Sequence, residues 1–69
     1  MQEFDLQGRE FVELCNLLKL TSLCSSGGIA KLMIADGQVS VDGQVELRKR
    51  CKIRSGQVVA FEGNQIQVV

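Results

Sequence analysis

A chain of 69 residues is long enough for one small domain and leaves little room for a deep catalytic pocket. Its 45% apolar content is too high for a disordered chain, and no stretch approaches the roughly 20 apolar residues of a membrane-spanning helix. Net charge is zero, but residues 1–18 carry four acids and one base, whereas residues 19–54 carry seven bases and three acids. We therefore expect a single domain over residues 1–69, cytoplasmic and not bound to a membrane, with a polarised charge distribution.

The first elements are a short strand and a helix. Polar and apolar residues alternate over residues 3–7, which predicts a strand. Apolar residues then recur at helical spacing over residues 10–19. Glu10 and Glu13 would lie in the first turns of this helix and Lys19 in its last turn, an order of charges that suits the helix dipole.

A second helix is predicted over residues 28–36. Ser25 or Ser26 can cap its first N–H groups, and Gly37 is a suitable residue just beyond its end. Its apolar side chains cover most of the circumference, so we expect it to be buried on nearly all sides. Lys31 is the lone charge on this helix and must reach water or a ligand.

The remainder predicts a small antiparallel sheet. Residues 37–43 alternate with Val39 and Val41 facing inward, and Asp42-Gly43 is a hairpin signal. Alternation resumes at Val45 and Leu47, turns are expected at 55–56 and 63–64, and strands at 58–61 and 66–69. The predicted fold class is α+β, with two short helices packed on a small, mainly antiparallel sheet.

Residues for catalysis or metal binding are scarce. There is no histidine, and no base is evident beside either serine of the 25–26 pair. The three cysteines are widely spaced, which fits neither a disulfide framework nor a zinc site. We interpret them as small buried apolar residues, with a reactive thiol as the alternative, and we assign the three phenylalanines to the core. The sequence predicts no enzyme, no metal and no cofactor.

The strongest functional signal is residues 48–54, hereafter the basic segment, in which five of seven residues are cationic. A solvated face that protects a sheet edge would explain it equally well, although such faces usually mix charges of both signs. The cap at Ser26, with Lys31 one turn further on, adds a place where backbone N–H groups could meet a phosphate. No aromatic residue is expected near this surface, which favours folded RNA over single strands.

The pattern Ser-x-x-x-Ala-Lys-x-x-Ile-x-x-Gly-x-Val-x-Val-Asp-Gly spans residues 26–43, and Glu-x-Arg-Lys-Arg-Cys-Lys-Ile follows at residues 46–53. Together they resemble the αL RNA-binding domain, named for ribosomal small-subunit protein S-four, and the short chain resembles its stand-alone bacterial branch, the YbcJ-like proteins. Many members have Arg where this chain has Gly27 and Asp where it has Gln57. The resemblance implies two helices on a small sheet, with RNA bound across the second helix and the loop that follows.

The resemblance also implies a set of RNA-contacting residues. These are Lys19, Lys31, Arg48, Lys49 and Lys52, followed by Arg50, Arg54 and Ser26. We expect a monomer that binds structured RNA such as rRNA or tRNA, with a ribosome-associated protein as a further possible partner. The rival hypothesis is an adaptor whose basic face docks on an acidic protein, since carboxylates and phosphates attract the same side chains.

Overall fold

The computed structural model describes the whole chain, Met1–Val69, and confirms the predicted α+β class. In chain order the elements are β1 (Gln2–Phe4), β2 (Val12–Glu13), α1 (Leu14–Leu20), α2 (Gly27–Ala35), β3 (Val39–Val41), β4 (Gln44–Val45), β5 (Lys52–Ile53), β6 (Val58–Phe61) and β7 (Asn64–Val68). The main sheet has the order β1-β7-β6-β3-β4 and is antiparallel except for the parallel pair β1–β7. A separate antiparallel ribbon joins β2 to β5.

The core lies between the helices and the sheet, and all 15 buried residues are apolar. Its largest fully buried members come from every layer: Leu14, Leu17 and Leu18 from α1, Ile34 from α2, Ile53 from β5, and Val39, Val59, Ile66 and Val68 from the main sheet. Burying each such side chain contributes roughly 1.5–3 kcal/mol. Neither helix is long and apolar enough to cross a membrane.

The first helix begins four residues later than the sequence predicts. Residues 12 and 13 are extended and pair with β5, so that Val12 lies opposite Ile53 and Glu13 opposite Lys52. The expected acids in the first turn are therefore absent from α1, whereas Lys19 does lie in its last turn. Local spacing favoured a helix, but the pairing buries Val12 against the core and prevails over that preference.

Both ends of α2 form as predicted. The Ser26 hydroxyl accepts a hydrogen bond from the Ile29 N–H at 3.2 Å, which caps the first turn. At the other end Gly37 adopts a φ of +79°, and the Gly37 and Gln38 N–H groups donate to the carbonyls of Ile34 and Met33. This double hydrogen bond is the Schellman arrangement, which glycine permits at low cost.

The Ser26 cap should contribute to the free energy of unfolding. Replacing Ser26 with Ala leaves the Ile29 N–H without its partner and should lower the free energy of unfolding by about 1 kcal/mol. Urea denaturation measures the change, and Ser25→Ala is the matched control because Ser25 does not cap the helix. We expect the control to stay within about 0.5 kcal/mol of the parent chain. Equal losses from both variants would show that the cap has no specific role.

The expectation that α2 is buried on nearly all sides is wrong. Only Ala30 and Ile34 are buried, while Ile29 is 41% and Leu32 66% exposed. The helix packs along this single stripe, and its outer side stays open to solvent. Lys31 is half-buried beside the stripe.

The sheet follows the predicted turns with small shifts. Asp42 and Gly43 both have positive φ, 51° and 83°, and connect β3 to β4 as the hairpin signal predicts. The last hairpin turns one residue earlier than predicted, at positions 62 and 63, so that Asn64 already belongs to β7. The apolar alternation expected through Val45 and Leu47 does not continue as a strand, and both side chains are exposed. The first strand is 2–4 rather than 3–7, because only these residues pair with β7.

Candidate nucleic-acid interface

The basic segment is held to the first helix by its backbone. The Leu14 N–H donates to the carbonyl of Cys51 at 2.9 Å, and the Cys15 N–H donates to the carbonyl of Lys49 at 3.1 Å. These N–H groups have no partner within the helix, so the segment caps the start of α1 with its own main chain. Ile53 also holds the segment against the core, in which its side chain is fully buried.

The cationic side chains of this segment all remain exposed. They are Arg48, Lys49, Arg50, Lys52 and Arg54. Only two of the segment's residues, Lys52 and Ile53, are in a strand, so the chain does not alternate as a strand would across the whole run. The backbone of the segment bonds to the start of α1 and Ile53 is buried in the core, so the five cationic side chains are left in solvent near the start of α1.

The other predicted site residues lie along the two helices. Lys19 is exposed in the last turn of α1, the end opposite the basic segment, about 8 Å further along the helix axis. Ser26 is exposed at the start of α2, and Lys31 follows on the same helix. The structure therefore brings the basic segment to one end of α1 and places Lys19 at the other.

Arg48 differs from its neighbours because it is already paired. Its Nε and one Nη each lie 3.0 Å from an oxygen of the Glu46 carboxylate, and its backbone N–H donates to the same group at 3.0 Å. These hydrogen bonds lower the pKa of Glu46 to about 2. The pair is the chain's one salt bridge, so the acid offsets much of the charge of Arg48 and of no other cation.

The Glu46–Arg48 pair can be tested by titration. An Arg48→Ala variant loses the side-chain hydrogen bonds and should shift the Glu46 pKa upward, though not fully to its ordinary value, because the backbone N–H at position 48 remains. The folded-state pKa is depressed, so stability from the pair is present above the ordinary glutamate range and is lost as pH falls toward about 2. NMR titration of the Glu46 carboxyl measures the shift, with Arg50→Ala as the control. An unchanged Glu46 pKa in Arg48→Ala would contradict the pairing.

The cysteines behave as small apolar residues. Cys15 and Cys24 are buried, and Cys51 is half-buried. Burial raises the pKa of the Cys24 and Cys51 thiols, which disfavours the reactive thiolate.

One aromatic residue does lie at the basic segment, contrary to the sequence-based expectation. The Phe11 ring centroid is 5.0 Å from Lys52 Nζ and 5.7 Å from Arg54 Cζ. Phe61 is buried and Phe4 packs against the core, but Phe11 is only half-buried and lies outside it. The unpredicted β2–β5 pairing causes this, because side chains alternate along a strand and Val12 takes the inward position.

The two departures from the family pattern have little structural effect. Gln57 can replace an acid in this turn, because its side-chain Oε1 accepts a hydrogen bond from the Arg54 N–H at 2.7 Å. A Cβ at Gly27 would meet no atom within 4 Å, so the fold does not require glycine there.

The fold and this surface define a class of small α+β proteins in which a cationic loop caps the first of two packed helices. The sequence profile of the S4 domain matches residues 4–69, and the chain belongs to this family. YbcJ of Escherichia coli (strain K12) is 56% identical over 69 residues, which cover 100% of this chain and 99% of YbcJ. A Bacillus subtilis (strain 168) protein, described as the probable ribosome maturation protein RlbA, is 36% identical over 61 residues, covering 87% of this chain and 86% of RlbA.

A solved structure agrees with the fold. The solution structure of E. coli YbcJ, described as revealing an αL motif involved in RNA binding, superposes with a TM-score of 0.77 at 56% identity. The match covers 100% of this chain and 87% of the YbcJ chain. The family and the αL architecture expected from residues 26–53 are thus confirmed.

Proposed function

We propose that this protein binds structured RNA, of the rRNA or tRNA type, and that it does so without catalysis. The observation that carries the proposal is the basic segment, which caps α1 through its backbone and leaves four exposed cations that form no salt bridge. Such side chains attract phosphates and release the counterions bound to them. The description of the YbcJ structure, which names an RNA-binding motif, supports the same function.

The proposed contacts fall into two ranks. Lys49 and Lys52 come first, because both are exposed, unpaired and fixed by the ribbon and the cap on α1. Lys19, Lys31 and Ser26 extend the surface along the helices, and Arg50 and Arg54 flank it. Arg48 should contribute less than the family resemblance implies, since RNA must compete with Glu46 for its guanidinium.

Several features support a passive binder. The one surface pocket, about 240 Å³, is lined by Met1, Gln2, Gly63, Asn64 and Gln65, and none of their side chains is an acid, a base or a nucleophile.

The relative described as a probable ribosome maturation protein favours ribosomal RNA or a ribosome-associated protein as partner. We place this activity in the cytoplasm and expect the single domain to act as a monomer.

Direct binding tests the proposal. Fluorescence anisotropy would compare a folded tRNA and an rRNA stem with an unstructured strand of equal length, at several salt concentrations. We expect tighter binding of the folded RNAs and an affinity that falls steeply with salt. No binding, or equal binding of the unstructured strand, would contradict the proposal.

An adaptor function is the second candidate, favoured by exposed apolar side chains. Leu32 on α2 is 66% exposed, Val45 is 63% and Leu47 is 59%, and Leu47 directly precedes the basic segment. Apolar groups beside charges are common at protein interfaces. Affinity capture from cells with and without ribonuclease separates the two functions, because partners that persist after nuclease treatment favour the adaptor.

A further inference from the structure

Phe11 differs from the other two phenylalanines because its ring lies outside the hydrophobic core. It is half-buried, it is absent from the apolar cluster that includes Phe4 and Phe61, and its ring lies beside two cations. Phenylalanine is among the most often buried residues, and this one lies instead beside the cations of the basic segment.

The β2–β5 ribbon explains how the three side chains meet. Val12 and Ile53 are paired and buried, so the residues on either side of each point outward. One step beyond the Val12–Ile53 pair, the antiparallel register sets Phe11 opposite Arg54. Lys52 lies diagonally across from Phe11 on the same face, within reach of its ring.

The position of Arg54 is also fixed by its own turn. Its N–H donates to Gln57 Oε1 at 2.7 Å, and its carbonyl accepts from the Gln57 N–H at 3.2 Å. On the outer face of the ribbon, an ammonium and a guanidinium therefore lie over the Phe11 ring. Glu13, which is opposite Lys52, shares this face as its one acid.

We propose that Phe11, Lys52 and Arg54 form a stacking site for one unpaired nucleotide. On binding, Lys52 and Arg54 would turn from the ring toward the flanking phosphates, and the base would stack on the ring that they uncover. The inference rests on the proposed RNA binding and narrows the target to a folded RNA that carries an unpaired nucleotide next to a helix.

The alternative role for the ring is to support the two cations. Cation–π contacts of this length would hold Lys52 and Arg54 in place for phosphates and involve no base. The two roles differ in which RNAs they affect. Loss of a support lowers affinity for every RNA by the same factor, whereas loss of a stacking site abolishes the preference for an unpaired base.

Two RNA duplexes separate these roles. One is blunt and fully paired, and the other is identical except for a single bulged 2-aminopurine. We expect the parent protein to bind the bulged duplex about 10-fold more tightly and to change its 2-aminopurine fluorescence. Phe11→Leu should bind the bulged duplex as weakly as the paired one, and Phe11→Trp should restore the preference.

Several outcomes would overturn the stacking site. Equal affinity of the parent protein for both duplexes would do so and leave RNA binding itself intact. An equal loss on both duplexes in Phe11→Leu would assign the ring to cation support instead. Failure of the parent protein to bind either duplex or any folded RNA would overturn the proposed function and the stacking site together. Urea denaturation of each variant checks that its fold is unchanged.

Discussion

The double substitution Lys49→Ala, Lys52→Ala is expected to weaken binding to folded RNA about 100-fold at 0.1 M salt. Each lysine is exposed and unpaired, and we assign each to one phosphate. Each neutralised phosphate contributes about one unit to the log–log slope of affinity against salt, so the slope should fall by about 2. Binding of the parent and double variant over a salt series measures both quantities.

Arg9 provides the control for this experiment. It is the one base outside the proposed surface, and its Nε donates to the Leu6 carbonyl at 3.0 Å. Arg9→Ala removes the same charge as Lys49→Ala, so the two single variants separate local contact from total charge. We expect Arg9→Ala to change affinity less than about 2-fold. An equal loss from both single variants, or an unchanged slope in the double variant, would remove the basic segment from the interface.

The largest expected effect on stability comes from Ile53→Ala. Ile53 is fully buried and lies in β5, so truncation leaves a cavity where the basic segment meets the core. The expected cost is about 2–5 kcal/mol. A domain of 69 residues has a total stability of roughly 3–10 kcal/mol, so the substitution should remove a large fraction of that stability. Urea denaturation and amide exchange would measure the loss.

Ile53→Val is the matched control, because it keeps the shape of the side chain and removes one methylene. It should cost about 0.5–1.5 kcal/mol. If Ile53→Ala cost no more than Ile53→Val, the basic segment would not depend on the core for its position. That result would contradict the structural basis assigned to the interface.

Features with local signals could be predicted from the sequence. The cap at Ser26, the end of α2 at Gly37 and the hairpin at Asp42-Gly43 each depend on residues a few positions apart. The start of α1 could not be predicted in this way, because Val12 pairs with Ile53, which is remote in sequence. Helical spacing over residues 10–19 was therefore misleading for its first four residues.

The sequence predicts which cationic residues make up the candidate site, but it does not predict the contacts that their side chains make. The excess of cations in residues 48–54 is visible in the sequence. The pairing of Arg48 with Glu46 and the position of Phe11 beside Lys52 both depend on the conformation of a loop and on a long-range strand pair. Neither leaves a periodic pattern, which explains why the aromatic residue at the surface was missed.

RNA should contact the face formed by the basic segment and the two helices. Ultraviolet crosslinking in cells, followed by digestion after glutamate and mass spectrometry, tests this directly. Cleavage at Glu46 and Glu62 separates residues 47–62, which hold the basic segment, from residues 14–46 and 63–69. We predict nucleotides crosslinked to fragments 47–62 and 14–46, with rRNA or tRNA as the recovered RNA. Crosslinks confined to fragment 63–69, or recovery of no RNA, would show that RNA does not bind this face.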